Sequence, residues 1–240
     1  MNQIHIHIER KVFPGHGENL VHTAIENLHL NLKEHEFVCL VGPSGCGKTT
    51  LLNIIAGLDQ DYSGDIDFSL QRPPTLGYVF QEPRLLPWRT VRENLTLALP
   101  EEQDPAVIDE LLSATGLTAF QHVYPQRLSL GMSRRVALAR AFAIAPDLLL
   151  MDEPFVSLDA PAAQSMRELL TRLWLQRPHT ILFVTHDLRE AIALADRVVF
   201  LTAPPTTIQS EFAIDLPRMQ RTQAFIENLR SKFSQLASEL

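Results

Sequence analysis

The chain has 240 residues, a hydrophobic fraction of 45%, two cysteines and a formal net charge of -7. That length suits one large domain with a subdomain. The acidic balance argues against nucleic acid as a partner, because duplex binding wants a basic face. Cys39 and Cys46 form no CxxC pair, so neither a disulfide nor a structural zinc is expected. No segment reaches the ~18 uninterrupted apolar residues of a membrane span; the stretch Val136–Met151 is broken by Arg140, Pro146 and Asp147. The start, Met1-Asn2-Gln3-Ile4-His5, lacks the basic and then apolar order of a signal peptide. A cytoplasmic protein is expected, reaching a membrane only through another protein.

Ile4, Ile6 and Ile8 alternate with His5, His7 and Glu9, the pattern of a half-exposed strand. His5 and His7 share one face of it, where a metal site is conceivable and a solvated face the favoured reading. Phe37–Val41 is a short apolar run, a buried strand, and a helix follows from about Lys48 to Ala56. Leu76–Phe80 reads as another strand. From Pro83 to about Gln126 the pattern turns helical, with prolines at 87, 100, 105 and 125, as in an inserted helical subdomain. A helix is predicted from about Ser133 to Ile144, then a strand at Leu148–Met151, a helix near Ala160–Leu175 and a strand at Thr180–Val184. A further helix at Asp187–Ala195 and a strand at Arg197–Leu201 complete the alternation. Strands alternating with helices indicate a parallel sheet covered on both faces. Near the end Phe225, Leu229, Phe233, Leu236 and Leu240 fall on one helix face, which reads as packing against the domain. Too little chain follows Leu201 for a regulatory domain.

Two motifs carry chemistry. Gly42-Pro43-Ser44-Gly45-Cys46-Gly47-Lys48-Thr49 fits GxxxxGK[ST] between a buried strand and a helix. Its glycines let backbone N–H groups turn inward around phosphates, and the helix N-terminus adds positive dipole. Lys48 supplies a point charge for the β- and γ-phosphates, and the Thr49 hydroxyl can ligate Mg²⁺; Thr50 completes the run. The second motif is Leu148–Met151 followed by Asp152 and Glu153. Two carboxylates at the end of a buried strand suit a nucleotide hydrolase, with Asp152 near the metal and Glu153 as the base that orients water.

Further landmarks narrow the choice. Leu128-Ser129-Leu130-Gly131-Met132 resembles the LSGGQ signature of ATP-binding-cassette (ABC) ATPases. Asp152-Glu153-Pro154-Phe155-Val156-Ser157-Leu158-Asp159 looks like their second acidic motif running into the D-loop. His186 looks like the switch histidine, Gln81 the Q-loop glutamine, and Phe13 the aromatic residue that stacks on adenine. The landmarks occur in the family's order over essentially the whole chain. Gln81-Glu82-Pro83-Arg84-Leu85-Leu86-Pro87-Trp88 resembles the Q-loop of nitrate, sulfonate and taurine importers, although importers of thiamine precursors look alike here.

The resemblance implies an α/β P-loop NTPase with a mainly parallel core sheet and an antiparallel β subdomain. It implies a single ABC domain over 1–240, with a helical signature subdomain at about 83–135. It also implies a head-to-tail homodimer in which ATP at Lys48 of one subunit meets Ser129 and Gly131 of the other. Asp159 would act across that dimer, and Gln81 and His186 would sense metal, water and γ-phosphate. Two permease subunits and, indirectly, a periplasmic or surface solute-binding protein would be partners at the cytoplasmic face of the cell membrane. ATP and Mg²⁺ are the implied cofactors. Leu130 and Met132 depart from the signature, where glycine and glutamine are usual. The rivals are therefore a poorly hydrolysing subunit of a heterodimer and a non-transport ABC ATPase. An otherwise intact catalytic set predicts a negative φ at Leu130, with its side chain turned from the nucleotide.

Overall fold

The computed structural model describes residues 3–14 and 21–238, with side chains described as far as Phe233. Met1, Asn2, Leu240 and the side chain of Leu236 lie outside that set. The chain divides into two compact units, residues 1–72 with 180–240, and residues 73–179.

Alternation builds the antiparallel part of the first unit. β1 (Gln3–Phe13) and β2 (His22–Lys33) precede the buried strand β3 (Phe37–Val41), and β4 (Ser63–Asp67) follows it. β1 pairs antiparallel with both β2 and β4. Ile4, Ile6 and Ile8 are buried, as are Leu28, Leu30 and Leu32 of β2. Each such side chain contributes roughly 1.5–3 kcal/mol. On the opposite face His7 stacks on His29 with ring centroids 4.1 Å apart, and its Nδ1 lies 3.4 Å from Asp65. His5 Nδ1 is 2.8 Å from the Asn31 side-chain oxygen. These are cross-strand polar pairs of the kind that fix register.

Helix α1 (Lys48–Ile55) leaves β3 through a glycine loop. In the second unit, β5 (Leu76–Val79) is parallel to β6 (Leu148–Asp152). Between them lie α2 (Val91–Thr96), α3 (Ala106–Ala114) and α4 (Leu130–Ala143), and α5 (Ala160–Gln176) follows β6. The first unit resumes with β7 (Thr180–Thr185), α6 (Leu188–Leu194), β8 (Arg197–Leu201), β9 (Ile208–Ala213) and α7 (Gln223–Ser238). β3 lies between β7 and β8, parallel to both, and β9 is antiparallel to β8. β3 and β7 are buried at every position, so they read as unbroken apolar runs.

Several elements differ from expectation. Between Pro83 and Gln126 only α2 and α3 are α-helical; short 3-10 turns and loops fill the rest, because the prolines interrupt the backbone ladder. The signature helix begins at Leu130 rather than Ser133, because Ser129 caps it and accepts from the Met132 amide at 3.2 Å. The sequence reading assigns no strand to 22–33, 63–67 or 208–213. In β2 the alternation breaks at Asn27, which has φ 47°. After Leu201 the chain adds the unexpected β9 and then α7, the latter where the terminal apolar spacing predicts a helix. There Phe233 meets Phe200 and Phe212 at 5.3 and 5.0 Å between ring centroids, so this part of the terminal apolar face does pack on its own unit.

Two arginine clusters tie the first unit together. The half-buried guanidinium of Arg221 donates to the carbonyls of Ile192 and Ala195 at 2.8 and 2.7 Å, and to those of Leu216 and Ile214. It thereby satisfies carbonyls at the end of α6; burial pulls its pKa down to about 10. Arg197 holds Glu36 through two bonds of 2.8 and 2.9 Å, pairs with Glu211 and donates to the Asn31 carbonyl. Burial alone would raise the Glu36 carboxyl, but hydrogen bonds from Arg197 and the Lys33 amide outweigh it and hold its pKa below the usual range. The stability this gives is present above the ordinary carboxylate pKa and is lost as pH falls through the depressed one. Arg197→Met leaves Glu36 without its guanidinium, with the Lys33 amide still bonded to it. It is expected to lower the unfolding free energy by about 3 kcal/mol in urea denaturation, with the deficit shrinking as acid protonates Glu36. An unchanged denaturation midpoint would count against this account.

Candidate nucleotide site

The phosphate loop is shaped by steric demand. Gly45 and Gly47 have φ of 78° and 90°, left-handed values that cost a side-chain-bearing residue roughly 1–2 kcal/mol. A Cβ on Gly42 would lie 2.8 Å from Cys46 Sγ. Cys46 itself is buried beneath the loop, and its amide donates to the Pro43 carbonyl at 3.2 Å. Lys48 Nζ donates to the carbonyls of Gly42 and Pro43, both at 2.8 Å. The ammonium is thus held over the loop by neutral acceptors. Thr49 and Thr50 fall in the first turn of α1, with Ser44 exposed at the loop tip.

Phe13 ends β1, 38% exposed. Lys11 Nζ lies 4.8 Å from its ring centroid. That lysine is buried and bonded to Asp59 at 2.8 Å and to the Asp61 carbonyl at 2.6 Å. Register shifts between Lys11 and Val12, and such a bulge re-aims the side chains after it. The outcome is a partly exposed aromatic ring backed by a fixed cation. His186 stands exposed just after β7. Next to it Thr185 donates to the buried Glu190 at 2.6 Å and accepts from the Asp187 amide at 3.0 Å, which stiffens the turn.

The second unit carries the remaining residues. Asp152 is buried at the end of β6, and Glu153 follows with φ 44°. A glutamate in left-handed space persists only where its surroundings impose it, and such positions cluster at functional sites. Burial first, and then the Asp152 charge, push the Tyr78 hydroxyl above its usual pKa. Tyr78 stacks on Phe80 at 3.9 Å, and Arg84 lies 3.8 Å over the Phe80 ring. Gln81 leaves this stack exposed. Arg140 of α4 fixes the next turn through the carbonyls of Pro83 and Arg84 at 3.1 and 3.0 Å.

At the signature, Ser129 caps α4 and Leu130 is its first residue, with helical φ as expected. Its side chain is 47% exposed. A Cβ on Gly131 would meet nothing within 4 Å, so only a ligand or partner could require glycine there. Asp159 caps α5, accepting from the Ala162 amide at 2.9 Å. The predicted residues therefore group as Phe13, the loop from Gly42 to Thr50 and His186 on one unit. Gln81, Ser129, Gly131, Asp152, Glu153 and Asp159 lie on the other. Sequence reasoning missed Lys11, although it sits two residues from Phe13, and Thr206, which no motif announces.

A strand–glycine loop–helix with a held lysine, on an α/β unit with a parallel sheet, defines a P-loop nucleotide hydrolase. The ABC transporter family profile matches residues 25–156. The aliphatic sulfonates import ATP-binding protein SsuB of Bacillus thuringiensis subsp. konkukian is 42% identical, covering 88% of this chain and 87% of that one. The nitrate import ATP-binding protein NrtD of Synechococcus elongatus is 40% identical, covering 98% and 89%. The dimeric post-hydrolysis structure of the ATP-binding cassette MJ0796, bound to ADP and Pi, superposes with a TM-score of 0.74 at 29% identity, covering 89% of this chain and all of that one. The chain belongs to the ABC transporter family, as an ATP-binding and ATP-hydrolysing subunit.

Proposed function

We propose that this subunit powers import of a small anion or organic solute such as nitrate, a sulfonate or taurine. The observation that carries the nucleotide part is the Lys48 ammonium, held over the loop by two backbone carbonyls and the Cys46 sulfur, with no carboxylate bonded to it among the described residues. The importer part is supported by the sulfonate and nitrate import relatives. In this reading the loop amides and Lys48 take the phosphates, and Phe13 takes the adenine. Glu153 accepts a proton from the attacking water. Thr49, Gln81 and Asp152 are hard oxygen donors of the kind that suit Mg²⁺, which keeps waters and phosphate oxygens in its shell. The bound ion would neutralise charge on the phosphate oxygens. A homodimer would place Ser129 and Gly131 of one subunit against the ATP of its partner, with Asp159 working across the interface. Gln81 and His186 would report the state of the γ-phosphate.

Two permease subunits at the cytoplasmic face of the membrane would receive the motion, and a solute-binding protein would choose the cargo. No helix among the described residues is long and apolar enough to cross a membrane. The loop after Gln81 suits docking. Asn94 is buried and fixes it: its Oδ1 accepts from the Leu86 amide at 2.8 Å, and its Nδ2 donates to three carbonyls, of Leu86, Arg89 and Thr90. Gln126 adds a bond to the Pro87 carbonyl at 2.8 Å. Trp88 is thus presented 68% exposed on an ordered loop, as an aromatic anchor would be. The test is purification from membranes, with identification of the permease and binding protein that follow. Trp88→Ala is expected to cut permease recovery severalfold while ATP affinity of the free subunit stays within twofold. Equal recovery of permease with both proteins would remove Trp88 from the interface.

A further inference from the structure

Thr206 lies in the β8–β9 connection, 160 residues beyond the phosphate loop, yet its hydroxyl donates to the Cys46 carbonyl of that loop. Its main chain is fixed by β2: its amide donates to the Ala24 carbonyl at 2.9 Å, and its carbonyl accepts from the Glu26 amide at 3.2 Å. Ile25 and Thr206 form a parallel bridge. The residue is 1% exposed. A Cβ built on Gly47 would come within 3.6 Å of Thr206 Oγ1 and 3.7 Å of the Ala24 carbonyl, so the loop rests directly on this contact.

The Cys46–Gly47 peptide is trans, so its C=O and N–H point in opposite directions across a rigid plane. Fixing the carbonyl toward Thr206 therefore aims the Gly47 N–H away from Thr206. Gly47 is also the residue with φ 90° that opens α1, where amides face an anion. Glycine leaves this peptide unusually free to rotate.

We propose that Thr206 is a positioning residue for phosphate binding, its hydroxyl locking the Cys46–Gly47 peptide so that the Gly47 amide donates to the nucleotide's phosphates. The proposal rests on the loop around Lys48 being the phosphate site. Thr206 also couples that loop to β2, whose partner β1 carries Phe13. The experiment compares wild type, Thr206→Val, Thr206→Ser and Lys48→Ala as full chains. Titration calorimetry with ATP and with ADP gives Kd, melting without nucleotide reports stability, and ¹H–¹⁵N spectra follow the Gly47 amide as ADP is added.

Thr206→Val is expected to weaken both nucleotides about tenfold, or roughly 1.4 kcal/mol, and to lose the downfield movement of the Gly47 amide. Thr206→Ser keeps the hydroxyl and is expected to stay within twofold of wild type on both readouts. A Thr206→Val protein with wild-type affinity, or with an unchanged Gly47 displacement, would overturn the proposal. So would a serine variant as weak as the valine one. If Thr206→Val does not fold, Thr206→Cys, a weaker donor, decides by the same two readouts: affinity below wild type with a reduced Gly47 displacement supports the role, and wild-type values overturn it. If Lys48→Ala binds nucleotide normally, it is the phosphate-loop reading that fails, a result separable from failure of Thr206 alone.

Discussion

ATP hydrolysis by Glu153→Gln is expected to fall at least ~100-fold, corresponding to roughly 2.7 kcal/mol of barrier, while ATP binding persists and an ATP-bound dimer accumulates. Glutamine keeps the size and the hydrogen-bonding reach of glutamate but cannot take a proton from water. The backbone makes this substitution informative. Glu153 sits at φ 44°, and glutamine meets the same backbone penalty there, so the two proteins differ in proton acceptance and charge rather than in strain. Steady-state phosphate release measured in the assembled transporter, with gel filtration of the subunit in ATP, reads both halves of the expectation. Hydrolysis at the wild-type rate would remove Glu153 from its role as base.

Gly131→Asp is expected to abolish hydrolysis without loss of fold. The position is open, with nothing within 4 Å of an added Cβ, and it lies in the first turn of α4. An acidic side chain there complements the helix dipole by about 0.3–1 kcal/mol, and leaving glycine adds helix propensity of a few tenths. The melting temperature should therefore hold or rise. The same carboxylate would stand against a phosphate of the partner's ATP, where bulk and charge both oppose closure. Leu130→Gly, in contrast, is expected to change the rate less than about tenfold, or roughly 1.4 kcal/mol. Leu130 has ordinary helical φ and an exposed side chain. A near-inert wild type rescued by Leu130→Gly would instead favour a degenerate subunit, and an active Gly131→Asp would displace the signature from the nucleotide.

Residues whose burial is uniform were the most legible in the sequence. β3 and β8 fall on the expected apolar runs, and β6 and β7 each extend one residue beyond them, because strands buried on both faces need no turn or partner to declare themselves. β2, β4 and β9 were not legible: β4 pairs with β1 across β2, β3 and α1, and the polar faces of all three carry little pattern. The helical reading of 83–126 overreached, because apolar spacing survived where prolines had already broken the ladder. Motif residues were found by type, but not what their backbones do. The capping bonds of Ser129 and Asp159, and the left-handed Glu153, are properties of conformation that a one-letter pattern does not encode. Thr206 marks the limit, since its significance exists only once β2 brings it under the loop.

The two carbonyl bonds on Lys48 bear on how nucleotide capture divides between enthalpy and entropy. A free lysine side chain carries about 2 kcal/mol of rotamer entropy, and a binding site that freezes it on contact gives up part of its affinity. Here folding has already immobilised the chain on Gly42 and Pro43. The ammonium's three donors meet these two carbonyls and, at 3.7 Å, Cys46 Sγ, and none of these neutral acceptors cancels the charge. The remaining attraction is available undiluted to an incoming polyanion, so recognition begins from a preorganised cation rather than from a search.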